Sequence, residues 1–267
     1  MVPTSSIILI AVNALLGFAI PIVLSWYLVR KHHARLSTIL IGAGTFILFA
    51  LVLESILHQL VLKGPHGDAI MGNTLWYALY GGLAAGIFEE TGRFLSMKFL
   101  MKKEPATLLP GIAYGAGHGG AEMLIIFGIT MISNLVMSVL INSGQTDVLL
   151  AKAPAEAASQ VQAQFDALQS LTAGTLLMGL WERFSALILH LSFSILVWVA
   201  VSKGGRWLWL FPAAILLHAV VDAGVVMLSK SAGTFQLELI VTAEAIAVAA
   251  IAFMVAKKSR TLCPARG

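Results

Sequence analysis

Apolar residues in this chain fall into long blocks rather than into alternation. Seven blocks recur, at about 6–29, 36–62, 74–101, 106–141, 171–201, 207–228 and 234–256. Each is long enough for a helix to cross the ~30 Å hydrocarbon core of a bilayer, which takes about 20 residues. Barrel strands would instead alternate over about ten residues. The expected fold class is therefore all-α, a polytopic membrane helical bundle of about seven transmembrane helices forming one domain over 1–267. The fourth block is long and glycine-rich at 111–120. A break there, giving a possible eighth helix, is expected. The one extended polar segment, at about 142–170, contains an Ala/Gln-rich stretch from 155 to 171 with spaced apolar positions, which reads as a surface helix outside the membrane.

Composition supports this reading. Hydrophobic residues make up 58% and charged residues 11% of 267 positions, whereas soluble domains carry about 25% charged residues. The net charge of +4 sits at block ends, so no nucleic-acid partner is implied. The single cysteine, Cys263, excludes a disulfide framework and reads as inert. The first block has no basic residue before it and Arg30, Lys31 and Arg35 after it, the opposite of a cleavable signal, so it is expected to be retained. Charge also orients the bundle. One set of loops holds Arg30, Lys31, Arg35, Lys98, Lys102, Lys103, Lys203, Arg206, Lys257, Lys258, Arg260 and Arg266; the other holds Lys63, Lys152 and Lys230. By the positive-inside rule the protein is a multi-pass cell-membrane protein with its N-terminus outside and its C-terminus cytoplasmic.

The candidate chemistry lies within the blocks. Glu89, Glu90 and Arg93 interrupt the third block, and His118, His190, His218 and Asp222 interrupt others. A carboxylate at bilayer depth costs about 2.5–3.5 kcal/mol on insertion scales, so adjacent acids there are not incidental. Counted from the cytoplasmic end of its own helix, each of Glu89, His118, His190 and His218 lies roughly 11–12 residues in, or about 17 Å. Four helices thus place ionisable groups in one layer. Glu122 and Asp222 stand one turn beyond His118 and His218 on the same faces, and Arg93 one turn from Glu89. Such a layer can activate water. A carboxylate takes the proton, a histidine polarises the water or donates to an oxyanion, and Arg93 keeps one acid ionised, so Glu89 and Glu90 need not share a role. Asp222 can orient His218. Blander readings stand beside this one. A lone membrane histidine such as His190 can be a packing residue, and Gly115, Gly117, Gly119 and Gly120 can serve close helix approach. Glu54/His58 and Glu182/Arg183, nearer the outer surface, are expected to pair with each other across helices rather than to act in chemistry.

Three motifs, Glu89-Glu90-x-x-Arg93, Tyr114-x-x-x-His118 and His218-x-x-x-Asp222, resemble those of the glutamic-type intramembrane protease superfamily. That superfamily includes the type II CAAX-prenyl proteases, PrsW and the YhfC-like family. In span count and motif order the chain is most similar to the YhfC-like members. The resemblance implies an intramembrane endopeptidase without a metal or other cofactor, acting on a membrane-embedded or membrane-associated peptide. In it Glu89 and His118 would activate water, and His218 and Asp222 would form or orient the oxyanion site. Glu90, Arg93, Glu122 and His190 would support them. Three rivals remain open. A zinc-dependent intramembrane metalloprotease could use His118, His190 and His218 as ligands, although no His-Glu-x-x-His occurs. A transport protein or non-catalytic membrane scaffold could also use buried acids, although transporters commonly carry an inverted repeat, which is not evident here.

The charge partition predicts that a reporter fused after Gly267 is cytoplasmic and one inserted near Ala155 is external. Labelling of single engineered cysteines from either side of the membrane measures this, and an external C-terminus contradicts it.

Overall fold

A computed structural model describes residues 1–146, 150–151 and 155–259. Cys263, Lys152, Arg260 and Arg266 lie outside the described residues. Among those described, all regular structure is helical. The elements are α1 (Thr4–His32), α2 (Leu36–Phe46), π1 (Ile47–Glu54), α3 (Ser55–Leu62), α4 (Gly67–Met71), α5 (Thr74–Leu100), α6 (Leu108–Glu122), π2 (Met123–Gly128), α7 (Ile129–Asn142), α8 (Ala155–Ser170), α9 (Ala173–Lys203), a 3₁₀ turn (Gly205–Trp209), α10 (Leu210–Leu228) and α11 (Thr234–Lys258). The protein is a polytopic membrane helical bundle.

Among the described residues, six helical stretches are long and apolar enough to cross a membrane. The seventh expected span, α5, has the length at 27 residues but not the mean hydropathy. Glu89, Glu90, Arg93 and Lys98 all lie on it and pull the average down. The helix that carries the candidate chemistry is thus the one that hydropathy alone would miss. Asn73 starts it, accepting from the backbone N–H of Leu75 and Trp76 at 3.0 and 3.1 Å.

The fourth span is not broken at its glycines. It runs as one helical stretch from Leu108 to Asn142, with a π-helical segment, π2, beginning immediately after Glu122. A second π segment interrupts the second span and ends at Glu54. Each is a local slip of backbone hydrogen bonding beside an acid inside the bundle, Glu122 half-buried and Glu54 buried, a placement common at functional sites.

The α6 glycines serve packing instead. A Cβ on Gly115 would lie 2.9 Å from the Leu191 Cα of α9, and one on Gly119 would lie 2.8 Å from the His190 Cβ. Gly117 meets the Ile39 backbone of α2, and Gly120 meets Pro21 of α1. So α6 holds α1, α2 and α9 at backbone distance, which is what small residues allow between membrane helices. Gly82 and Gly86 do the same for α5 against α10.

On the side of the α2–α6 start the interior is filled, with Met97, Tyr114, Phe193, Leu196, Trp198 and Val248 among its core. Toward the opposite side, where α8 lies, the helices line an open cavity of about 670 Å³. The expected surface helix is present as α8. Its Phe165 and Leu168 pack on Val2 and Ile141, and Asn142 pairs with the Val2 backbone in both directions. The turn from α9 to α10 passes through Gly204 and Gly205 at φ of 62° and 53°, backbone that side chains disfavour.

Gly86→Val tests the α5–α10 contact. A Cβ at Gly86 would lie 2.6 Å from the Ile215 carbonyl oxygen, so the helices must separate. The expected cost is at least the 1–3 kcal/mol typical of overpacking, about, with a lower unfolding midpoint in detergent.

Candidate active site

The close α5–α10 and α6–α9 contacts carry the sequence-identified residues into one network. Arg93 is fully buried, as are Glu90 and His118, and Glu89 is 8% exposed. Arg93 pairs through Nη1 with Glu90 Oε1, and through Nη2 donates to Glu89 Oε2 at 3.2 Å and to His190 Nδ1 at 2.6 Å. A guanidinium only donates, so His190 Nδ1 is the acceptor. Its Nε2 then carries the proton and faces Glu122 Oε2, with which it pairs. Glu122 in turn accepts from Arg183 Nη1 at 2.8 Å.

The two acids have different company. Glu89 Oε2 lies 3.0 Å from His118 Nε2 and 3.7 Å from His190 Nδ1. Glu90 Oε1 lies 2.7 Å from His218 Nδ1, and His218 Nε2 is 3.5 Å from Asp222 Oδ2. Phe193 stacks on the His218 ring with centroids 4.8 Å apart and planes 6° from parallel. Tyr114, whose hydroxyl is 2.9 Å from Ser96 Oγ, flanks the His118 ring. Glu89, Glu122, His190, His218 and Asp222 line the cavity, whereas Glu90 does not.

All eight sequence-selected residues (Glu89, Glu90, Arg93, His118, Glu122, His190, His218 and Asp222) therefore meet in one connected set. The histidines do not group as the zinc alternative expects. Side-chain ligand atoms of Glu89, His118 and His190 all lie within 4.8 Å of one another. His218 sits instead on the far acid, Glu90. The outer pairs also differ from expectation. Glu54 pairs with His58 at 3.3 Å along one helix, and Glu182 pairs with its neighbour Arg183. Their cross-helix partners are Tyr80, whose hydroxyl is 2.8 Å from His58 Nδ1, and Glu122. Sequence reasoning passed over Glu238 and Glu244 on α11, of which Glu244 lies well inside an apolar run that should have flagged it.

A family model described as "YhfC intramembrane metalloprotease" matches residues 16–248, which include every one of these positions. The chain belongs to the YhfC family. It is 38% identical over 232 residues to the membrane protein YhfC of Bacillus subtilis (strain 168), a span covering 86% of this chain and 88% of that relative. No solved structure matches. The family is thus described as one of intramembrane proteases, and its description names metal-dependent chemistry.

Arg93→Met tests the network. It leaves Glu89 and Glu90 buried without their shared cation, and removing one partner of a buried pair costs about 3–5 kcal/mol. Arg93→Lys should recover only part of this, because an ammonium cannot present the planar fork that reaches both glutamates and His190. Thermal unfolding of both variants in detergent measures the difference, and a Met variant as stable as the parent contradicts it.

Proposed function

We propose that this protein is an intramembrane metallopeptidase that hydrolyses a peptide bond in a membrane-embedded or membrane-associated substrate. The observation that carries the reading is the convergence of Glu89, His118 and His190, of which Glu89 and His190 line the cavity and His118 stands buried behind them. Two imidazoles and one carboxylate are a donor set that catalytic zinc takes, with a position left open. The residues present fit such an ion in two further respects. Glu122 sits on His190 Nε2, the carboxylate-on-imidazole arrangement that orients metal-bound histidines, and this leaves Nδ1, on which Arg93 Nη2 now stands, as the ring's ligand atom. The network also holds five carboxylates (Glu89, Glu90, Glu122, Glu182 and Asp222) against two guanidiniums (Arg93 and Arg183) and the His218 ring set between Glu90 and Asp222, so a divalent cation would offset the remaining excess of negative charge. When bound, the ion would polarise the scissile carbonyl and make water a better acid.

The chain's own groups would do the rest. Glu89, which faces the cavity while Glu90 is held behind it by Arg93 and His218, would hold the ion in this reading and is the acid placed to take a proton from water where no ion is bound. His218 has a carboxylate on each ring nitrogen, at 2.7 and 3.5 Å. A developing oxyanion in the cavity would compete for the more weakly held Nε2 donor. Glu90 fixes the ring from behind, and Phe193 sets its plane.

A second, metal-independent reading, the one implied by the motif resemblance, is favoured by Arg93. Its guanidinium already stands at both Glu89 Oε2 and His190 Nδ1, so the layer carries a resident cation. Here Glu89 with His118 alone would activate water.

Elemental analysis of purified protein, with cleavage assayed before and after chelation, separates the two. The expected result is about one equivalent of a transition metal per chain, lost in His118→Ala and His190→Ala, with activity abolished by chelator and restored by metal. Full activity in metal-free protein overturns the metallopeptidase and leaves the glutamate mechanism. In either case Glu89→Gln should lower the rate by about 10²-fold or more. A Glu90→Gln loss with Glu89→Gln active would reverse the two acids.

A further inference from the structure

The cavity extends well beyond the Glu89 layer, toward the side where α8 lies, and its walls there are mixed. Ala50, Leu51, Val225 and Val241 supply apolar surface, and Glu54, Glu182, Asp222 and Glu238 supply acids. Three of these acids are occupied. Glu54 is paired with His58, Glu182 with Arg183, and Asp222 stands 3.5 Å from His218. Glu238 is different. Only 6% of it is exposed, it lines the cavity, and its buried Oε2 has no hydrogen-bond partner among the described residues. A buried carboxylate oxygen without a partner costs free energy that an incoming cation would offset.

We propose that Glu238 centres a binding subsite for a cationic side chain, lysine or arginine, of the peptide substrate. This rests on the peptidase reading and adds a sequence preference to it. A free metal ion suits the position less well, because Glu238 is not among the residues whose ligand atoms converge. The apolar walls instead suit a peptide that carries one cation. Its place along the chain can be read from α9 and α11. Trp181 Nε1 donates to Thr242 Oγ1 at 2.8 Å, and Ser185 Oγ lies 3.1 Å from the same atom, so Thr242 is level with that stretch of α9. Glu238 is one turn further toward the α8 side, roughly 16 Å along the axis from His190. An extended peptide covers that distance in about five residues.

The test uses full-length protein in lipid nanodiscs, carrying Glu89→Gln so that bound peptide is not consumed. The probes are fluorescent apolar peptides with Lys, Gln or Glu about five residues from the centre. The Lys peptide should bind about tenfold more tightly than the Gln peptide. Glu238→Gln should erase that difference, and Glu238→Lys should turn the preference toward the Glu peptide. Carbodiimide coupling of the Lys peptide, mapped by mass spectrometry, gives a measurement that needs no variant at 238, and the adduct should fall on Glu238. Equal affinity for Lys and Gln peptides, a preference that survives Glu238→Gln, or an adduct elsewhere overturns the subsite. Cleavage is followed separately in protein with Glu89 intact. If no peptide is cut while Glu238-dependent Lys binding persists, the peptidase reading falls and the subsite stands.

Discussion

The arrangement depends on a guanidinium buried completely inside a membrane helix bundle. Stripping water from Arg93 carries an effective penalty of several kcal/mol, and only close, well-aimed acceptors repay it. Arg93 has three such acceptors: Glu90 and Glu89 on its own helix and His190 on another. The acids are in turn costly without the arginine. Neither side of this exchange is stable alone, so the helices that supply the partners are held to one mutual register. The consequence is a rigid polar layer in a setting where apolar helices otherwise slide against lipid at little cost.

That register is set by backbone contact. Gly115 and Gly119 bring α6 onto the His190 turn of α9, and Gly82 and Gly86 bring α5 onto the turn of α10 that carries His218. The polar layer and the glycine contacts therefore sit on the same turns. On one side of the layer the bundle is packed tightly around Tyr114, Phe193 and Trp198. On the other side it opens into the cavity. Glu89, His190 and His218 are thus supported from behind and face the cavity in front, which is the condition for a side chain to be both positioned and reactive.

Much of this was written in the sequence as height. Helical rise alone places Glu89, His118, His190 and His218 at one depth, and all four meet there. What rise does not encode is direction around each helix. Any two of the three histidines could have faced Glu89, and the choice of His118 and His190 over His218 follows from which glycine faces which neighbour. The two π segments were illegible for a related reason, since a slipped hydrogen bond in an apolar run leaves composition unchanged. The expected break at the α6 glycines failed because those glycines are spent on three neighbouring helices at once, and a continuous helix is what presents them. Glu238 escaped notice because it lies within a turn or two of its helix end, where an acid ordinarily reaches water.

The division of labour between Glu89 and Glu90 follows from the same geometry. Adjacent residues on a helix point about 100° apart, so two neighbouring acids cannot share one set of partners. Here one is turned toward the cavity and the His118–His190 pair, the other toward His218, and Arg93 a turn away reaches both. The guanidinium fixes the acids relative to each other while leaving each to act on a different histidine. A lone glutamate at this depth would be drawn to the nearest cation and spent on it. Paired about a shared arginine, one acid can satisfy the charge and the other can keep an oxygen at the cavity wall. The Glu-Glu-x-x-Arg spacing is therefore a way of keeping a carboxylate reactive inside a membrane, whether its partner in chemistry is a histidine alone or a metal ion held beside it.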